Sequence, residues 1–241
     1  TGRELVPEAL RRLGLKQLFP VAEQMVPDGT FPTVISPNPE NPEGFYLAVD
    51  LARRVGSDLI IGTDPDADRI GVLVREGDAY VPITGNQLGV LLLDYIIRAR
   101  RRTGTMPDDP VFLKTIVTTE MARVVAAQNG VRVEETFTGF KFMAERLAEL
   151  AAAGRSTHYL LAYEESYGYM MGDYVRDKDA VTASMMVTEM AAWYAGQGMT
   201  LREAMDALYE VYGAFDERTL NLVMPGLDGL RDMQRLMERL H

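Results

Sequence analysis

The sequence predicts an α/β protein made of two layered α/β domains with mixed, largely parallel sheets. Three observations lead there. Beyond Val111, short apolar runs alternate with helix-length amphipathic stretches, the pattern of strand–helix–strand units. Gly130 and Gly154 stand as the C-caps of two of those stretches. Finally, 241 residues with 47% hydrophobic content suffice for one large core or two small ones.

Taken in order, the chain opens with a helix expected over Glu4–Leu13. The run "PDGTFPTVISPNPENPEGF", Pro27 to Phe45, holds too many prolines for regular structure and is expected as loop. A helical pattern from Phe45 to Val55 leads into a strand at Leu59–Ile61, an aspartate-rich loop, and a second strand at Ile70–Arg75. "EGDA" then signals a hairpin. In "TGNQLGVLLLDYIIRARRR", Thr84 or Asn86 caps a helix whose last turn is basic, the sign that suits a helix C-terminus. "TGTMPDDP", Thr103 to Pro110, is the best linker. Past it come a strand Val111–Val117, a helix Thr119–Gln128, a strand Val131–Glu135, a helix Phe140–Ala153 and a strand Tyr159–Tyr163. A loop rich in glycine and charge precedes helices at Asp179–Ala195 and Thr200–Val211. In parallel sheets ligands sit beyond the carboxyl ends of the strands, which directs attention to the loops after Val117, Glu135 and Tyr163.

Composition narrows the chemistry. Lys plus Arg number 25 against 35 Asp plus Glu, so general attraction to nucleic acid or to an anionic membrane is not expected, and an anionic ligand needs a local basic pocket. No cysteine is present, which excludes disulfides, thiolate catalysis and cysteine-ligated zinc and favours a reducing cytoplasm. With two histidines, a histidine-built metal site is not expected. No apolar run has the length of a membrane span, and the start "TGRELVPEAL" carries neither a signal-peptide pattern nor an initiator Met; an excised piece of a longer polypeptide is expected.

Four stretches carry chemistry. In "DLIIGTDPDADRIGVLV", Asp64, Asp66 and Asp68 alternate in a loop between two apolar strands, where they repel one another unless a cation neutralises them. Oxygen donors in that arrangement suit Mg²⁺. A calcium EF-hand loop would require Gly and Glu where Arg69 and Arg75 stand, so calcium fails. In "ETFTGFKFM", Gly139 permits a tight turn and Lys141 lies in the first turn of a helix, where anions are favoured. In "YEESYGYMMGDYVRDKDA", Glu164, Glu165 and Ser166 offer the acceptors and hydroxyl that fix neighbouring sugar hydroxyls, and Arg176 and Lys178 add positive charge before a helix. "SPNPE", Ser36 to Glu40, is by itself a proline-stiffened turn.

Together these stretches resemble the α-D-phosphohexomutase superfamily, and within it the bacterial phosphoglucomutase/phosphopentomutase branch. "GTDPDADR" resembles that family's metal loop, "TFTGFK" its third-domain substrate loop, "EESYG" with "RDKDA" its sugar-binding loop and following basic segment, and "FPTVISPNPE" the run before the metal domain. The resemblance covers nearly the whole chain. It implies that residues 1–105 form the C-terminal part of a metal-binding second domain, 106–215 a sugar-binding third domain, and 216–241 a connection towards a fourth. It further implies that Asp64, Asp66 and Asp68 ligate Mg²⁺, and that Arg69 beside a phosphoserine and Lys141 are catalytic. Gly139, Glu164, Ser166, Arg176 and Lys178 would bind the substrate, a phosphosugar, with glucose 1,6-bisphosphate as activator and intermediate. The implied reaction interconverts glucose 1-phosphate and glucose 6-phosphate. The family's serine motif, resembling "TASHNP", and its phosphate clamp, resembling "RPSGTEP", are absent, so the first and fourth domains of the same polypeptide are the expected partners and this chain alone is expected to be inactive.

Two other readings are open at this point. A haloacid-dehalogenase-type phosphatase would use Asp64 as nucleophile, Asp66 as acid, Lys141, and Asp173 with Asp177 for Mg²⁺, but leaves "EESYG" and "TGFK" without a task. A non-catalytic phosphosugar-binding module would use the same loops without turnover.

Overall fold

The structure, a computed structural model, describes residues 1–218 and 224–240. Among these residues seven strands form two sheets, ordered β1-β2-β3 and β5-β4-β6-β7.

The chain begins with α1 (Gly2–Leu13), ended by Gly14 in the left-handed conformation at φ 102°. The proline-rich stretch that follows has only two short 3₁₀ turns, Ala22–Met25 and Pro42–Phe45. Next, α2 (Tyr46–Val55) leads into β1 (Leu59–Thr63), β2 (Ile70–Glu76) and β3 (Ala79–Ile83). This first sheet is antiparallel throughout, because the Asp64–Arg69 and Gly77–Asp78 connections are far too short for a crossover. Parallel pairing belongs to the second sheet.

The long helix α3 (Gly85–Thr103) starts with a capping box in which Thr84 and Gln87 satisfy each other's backbone amides. Its apolar face is unusually broad, and Leu88 to Leu93 and Tyr95 to Ile97 are buried because the helix serves both sheets. Then come β4 (Val111–Thr115), α4 (Glu120–Gln128), β5 (Arg132–Thr136), α5 (Phe140–Ala152), β6 (Tyr159–Glu164) and β7 (Gly168–Met170). Both β5 and β6 run parallel to β4, whereas β7 returns antiparallel on β6. Last are α6 (Ala180–Ala195), α7 (Leu201–Tyr212) and α8 (Gly226–Leu240). None of these helices is long and apolar enough to cross a membrane.

Helix α5 covers one face of the second sheet through Phe140, Met143, Leu147 and Leu150 on Val111, Leu113 and Ala162. The other face of that sheet joins α3, α4, α6, α7 and one side of β2 in one continuous core. A smaller cluster of Phe45, Ala52, Ile60 and Leu73 seats α2 on the first sheet. Three differences from the sequence reading stand out. Strand β4 stops at Thr115 because Thr118 N turns back to bond Thr115 O at 3.2 Å. The three-residue β7 lies inside what reads as a charged loop, and α8 lies inside what reads as a connection.

Candidate functional site

Antiparallel pairing up to Thr63↔Ile70 pins both ends of the Asp64–Arg69 loop, so its backbone must reverse within a few residues. Ala67 takes the strained left-handed conformation at φ 61°, and its N–H donates to Asp64 O at 3.1 Å. Asp64 Oδ1 accepts from the backbone amides of Asp68 at 3.0 Å and Arg69 at 3.1 Å, which curls the loop around that carboxylate. One ligand oxygen each of Asp64, Asp66 and Asp68 then lie within 4.8 Å of one another. Burial, together with the neighbouring Asp68, pushes the Asp64 carboxyl up to about 6. Buried Asp68 Oδ1 has no hydrogen-bond partner.

The loops around β7 meet this turn directly. Ile70 N donates to Tyr167 O at 3.1 Å, and Ala180 N to Ala67 O at 3.0 Å. Arg69 bridges to Gly168 across the strands. Lys178 reaches Asp68 Oδ2 at 2.8 Å and is also 3.4 Å from Asp177 Oδ1. Burial alone would push Asp68 up and Lys178 down, but their mutual attraction wins, holding the carboxyl below and the ammonium above their ordinary values. The lysine stem passes between the Phe140 ring, 5.2 Å from the ammonium, and Gly168, where a Cβ would come within 2.5 Å of Lys178 Cδ. Gly168 is required there for that close passage.

Gly139 N donates to Glu164 Oε1 at 2.6 Å, so the "TFTGFK" and "EESYG" loops are joined as well. Burial raises the Glu164 carboxyl despite that bond. Ser166, half-buried, stands between Glu165 and Tyr167. The structure therefore gathers Asp64, Asp66, Asp68, Arg69, Gly139, Glu164, Ser166 and Lys178 at one end of both sheets. Lys141 instead lies over the Phe142 ring at 4.7 Å, and exposed Arg176 forms no ion pair among the described residues.

Two supports escaped the sequence reading. Glu40 of the proline-rich stretch accepts from Arg69 Nη1 at 3.3 Å, and Asn38 Oδ1, accepting from Glu40 N at 3.0 Å, sets that turn. Fully buried Lys114 donates to Thr118 O at 2.7 Å and meets Glu120 and Glu135 at 3.0 Å each. Those two carboxyls are held below their usual range by Lys114 and by Arg123. A lysine inside "VFLKTIV" was the signal, since a charge in an otherwise apolar strand needs partners.

The phosphatase reading fails on this geometry. Asp173 and Asp177 are exposed, and the one acidic cluster of metal-holding size among the described residues is Asp64, Asp66 and Asp68.

Comparison with known proteins agrees. Residues 1–77 match the family model described as phosphoglucomutase/phosphomannomutase, alpha/beta/alpha domain II, and residues 84–212 match domain III of the same family. The phosphoglucomutase of Staphylococcus aureus strain N315 is 34% identical over 238 residues, 98% of this chain and 42% of the relative. That of strain bovine RF122 / ET3-1 is 35% identical over 242 residues, 99% of this chain and again 42% of the relative. The chain thus spans under half the length of these curated relatives. Among solved structures, a candidate phosphomannomutase from Thermus thermophilus superposes with a TM-score of 0.69 at 23% identity over 88% of this chain and 44% of that one. A phosphoglucomutase/phosphomannomutase family protein from Burkholderia thailandensis gives 0.62 at 20% identity over 84% and 40%. At these identities the structural likeness speaks for the fold.

Proposed function

We propose that this chain, which belongs to the phosphoglucomutase/phosphomannomutase family, is the metal-holding and sugar-reading part of a mutase that interconverts glucose 1-phosphate and glucose 6-phosphate. The observation that carries this reading is the direct joining of the acidic loop to the sugar-type loop, by Lys178 on Asp68 and by Ala180 N on Ala67 O. A phosphoryl group held at the acidic loop would there lie next to a sugar held by the other loop.

The acidic loop fits magnesium: its donors are all carboxylate oxygens, and buried Asp68 Oδ1 has no hydrogen-bond partner, only the Arg69 guanidinium 3.8 Å away. Magnesium held by Asp64, Asp66 and Asp68 would polarise a phosphoryl oxygen as a Lewis acid. Arg69, steadied by Glu40, offsets negative charge beside the carboxylates, and Lys178 does so from the opposite loop. Phosphoryl transfer depends chiefly on such positioning and neutralisation. Glu164 and Ser166 bind ring hydroxyls, so a glucose 1,6-bisphosphate intermediate can be held in either orientation. Gly139, bonded to Glu164, borders the sugar's place, while Lys141 and Arg176 are exposed cations outside the gathered residues and free to meet an incoming substrate phosphate. The phosphoryl-carrying serine and the phosphate clamp belong to other parts of a longer polypeptide, and this chain alone turns over no substrate.

³¹P NMR of glucose 1-phosphate with Mg²⁺ and a trace of glucose 1,6-bisphosphate tests the reading, comparing this chain with the complete polypeptide. Glucose 6-phosphate formed by the complete polypeptide alone is expected. Inorganic phosphate released by this chain would overturn it in favour of hydrolysis.

A further inference from the structure

The reading above gives work to Glu164 and Ser166 but none to Glu165 between them. Its side chain points the other way. Glu165 Oε2 accepts from Thr118 Oγ1 at 3.1 Å, and Thr115 Oγ1, which donates to Thr118 Oγ1, lies 3.4 Å from the same oxygen. Both threonines are buried, and their hydroxyls bond each other at 2.8 Å. The turn that presents them is held by Lys114, whose ammonium takes Thr118 O at 2.7 Å and Thr115 O at 3.3 Å. On its backbone side, the Glu165 carbonyl lies so close to Gly85 that any side chain there would collide with it. Beyond Ser166, Tyr167 is fixed in the left-handed conformation at φ 68° with its carbonyl bonded to Ile70 N. Ser166 therefore hangs between two pinned residues, and Glu164 between Gly139 and Glu165.

We propose that Glu165 is a positioning residue: by gripping the Thr115–Thr118 turn it fixes Glu164 and Ser166, and so sets how strictly the site distinguishes the hydroxyl arrangement of its sugar. The inference rests on the function proposed above. Recognition by hydrogen bonds is strict only while the protein partners are aligned, because a misplaced acceptor leaves a sugar hydroxyl unpaired in either epimer. The two threonine hydroxyls supply that alignment from the end of β4 and the turn after it, outside the Glu164–Ser166 segment.

The test is steady-state kinetics of the complete polypeptide carrying Glu165→Ala, Thr118→Val or Glu165→Gln, with glucose 1-phosphate and its epimers mannose 1-phosphate and galactose 1-phosphate, beside thermal melts. Glu165→Ala and Thr118→Val are expected to raise KM for glucose 1-phosphate about tenfold, change kcat less, and narrow the kcat/KM ratio between epimers. Glu165→Gln keeps an acceptor oxygen and restores both. Variants that melt earlier but keep the wild-type KM and epimer ratio overturn the inference alone. A wild type without turnover on any of the three sugars overturns the functional reading and the inference with it.

Discussion

Replacing Lys178 by Met isolates the charge that joins the two loops. The methionine stem keeps the packing against Phe140 and Gly168, while Asp68 loses its ammonium at 2.8 Å. At that distance the attraction is about 1.5 kcal/mol in a water-like dielectric and about 6 kcal/mol at an effective constant near 20. Desolvation of both groups and the entropy of holding the lysine offset most of it; with side-chain exposures of 17% and 28%, a net loss of about 1–2 kcal/mol is expected. For a chain of this size that lowers Tm by about 2–4 °C per kcal/mol. The triad then carries one cation fewer, so Mg²⁺ raises Tm more in the variant than in the wild type. Differential scanning fluorimetry of this chain, with Mg²⁺ and with a chelator, reads both quantities. Equal melting of variant and wild type in chelator, or an equal Mg²⁺ increment in both, would refute the claim that Lys178 and a metal share Asp68.

Other consequences follow from the same structure. Asp64, raised by burial to about 6, must lose its proton to bind a cation, so Mg²⁺ affinity by calorimetry should fall about tenfold per pH unit below that value. The sign for folding is the reverse: a carboxyl raised from 3.8 to about 6 favours the folded metal-free chain at low pH, and that contribution is lost as pH climbs through this window. Gly89→Ala drives a methyl into the fully buried Tyr163 ring and should cost about 1–3 kcal/mol in urea unfolding. Lys114→Met leaves Glu120 and Glu135 with Arg123 alone and strips Thr118 O of its donor; because both carboxylates are partly solvent-exposed, a loss of about 1–3 kcal/mol by the same assay is expected, with Lys114→Arg losing less.

Much of this is legible in the sequence where local signals are strong. Alternating aspartates between two apolar strands mark the acidic loop, and Thr84, Thr119, Asp179 and Thr200 mark helix starts that the backbone uses as caps. Gly130 and Gly154 end helices in the left-handed conformation at φ 66° and 71°, but the caps are Asn129 and Ala153, one residue before each glycine. The misses have physical causes. β7 is three residues long and exists through its pairing with β6, so neither period nor propensity reveals it. α8 carries Gly226 and Gly229, which depress helix propensity although Leu230, Met233, Met237 and Leu240 keep helical spacing. Within the site, residue types identify the carboxylates and Lys178, but their meeting depends on Ala67 and Ala180, distant in sequence and unremarkable in type. Lys141 shows the opposite: its place at a helix start suggests an anion, while its ammonium rests on Phe142.

A single metal site in the acidic loop, bordered by the "EESYG"–"RDKDA" stretch and, through Glu164, by the "TFTGFK" loop, is tested most directly by substituting Mn²⁺ for Mg²⁺ and recording paramagnetic broadening of the backbone amide NMR signals of this chain. The account predicts that the signals of Asp64 to Arg69, Gly139, Ser166 to Gly168 and Lys178 to Ala180 vanish first, and that Asp64→Asn together with Asp68→Asn abolishes the effect. Broadening centred on Asp173 and Asp177, or confined to Asp64–Arg69 with the other two loops untouched, would contradict it.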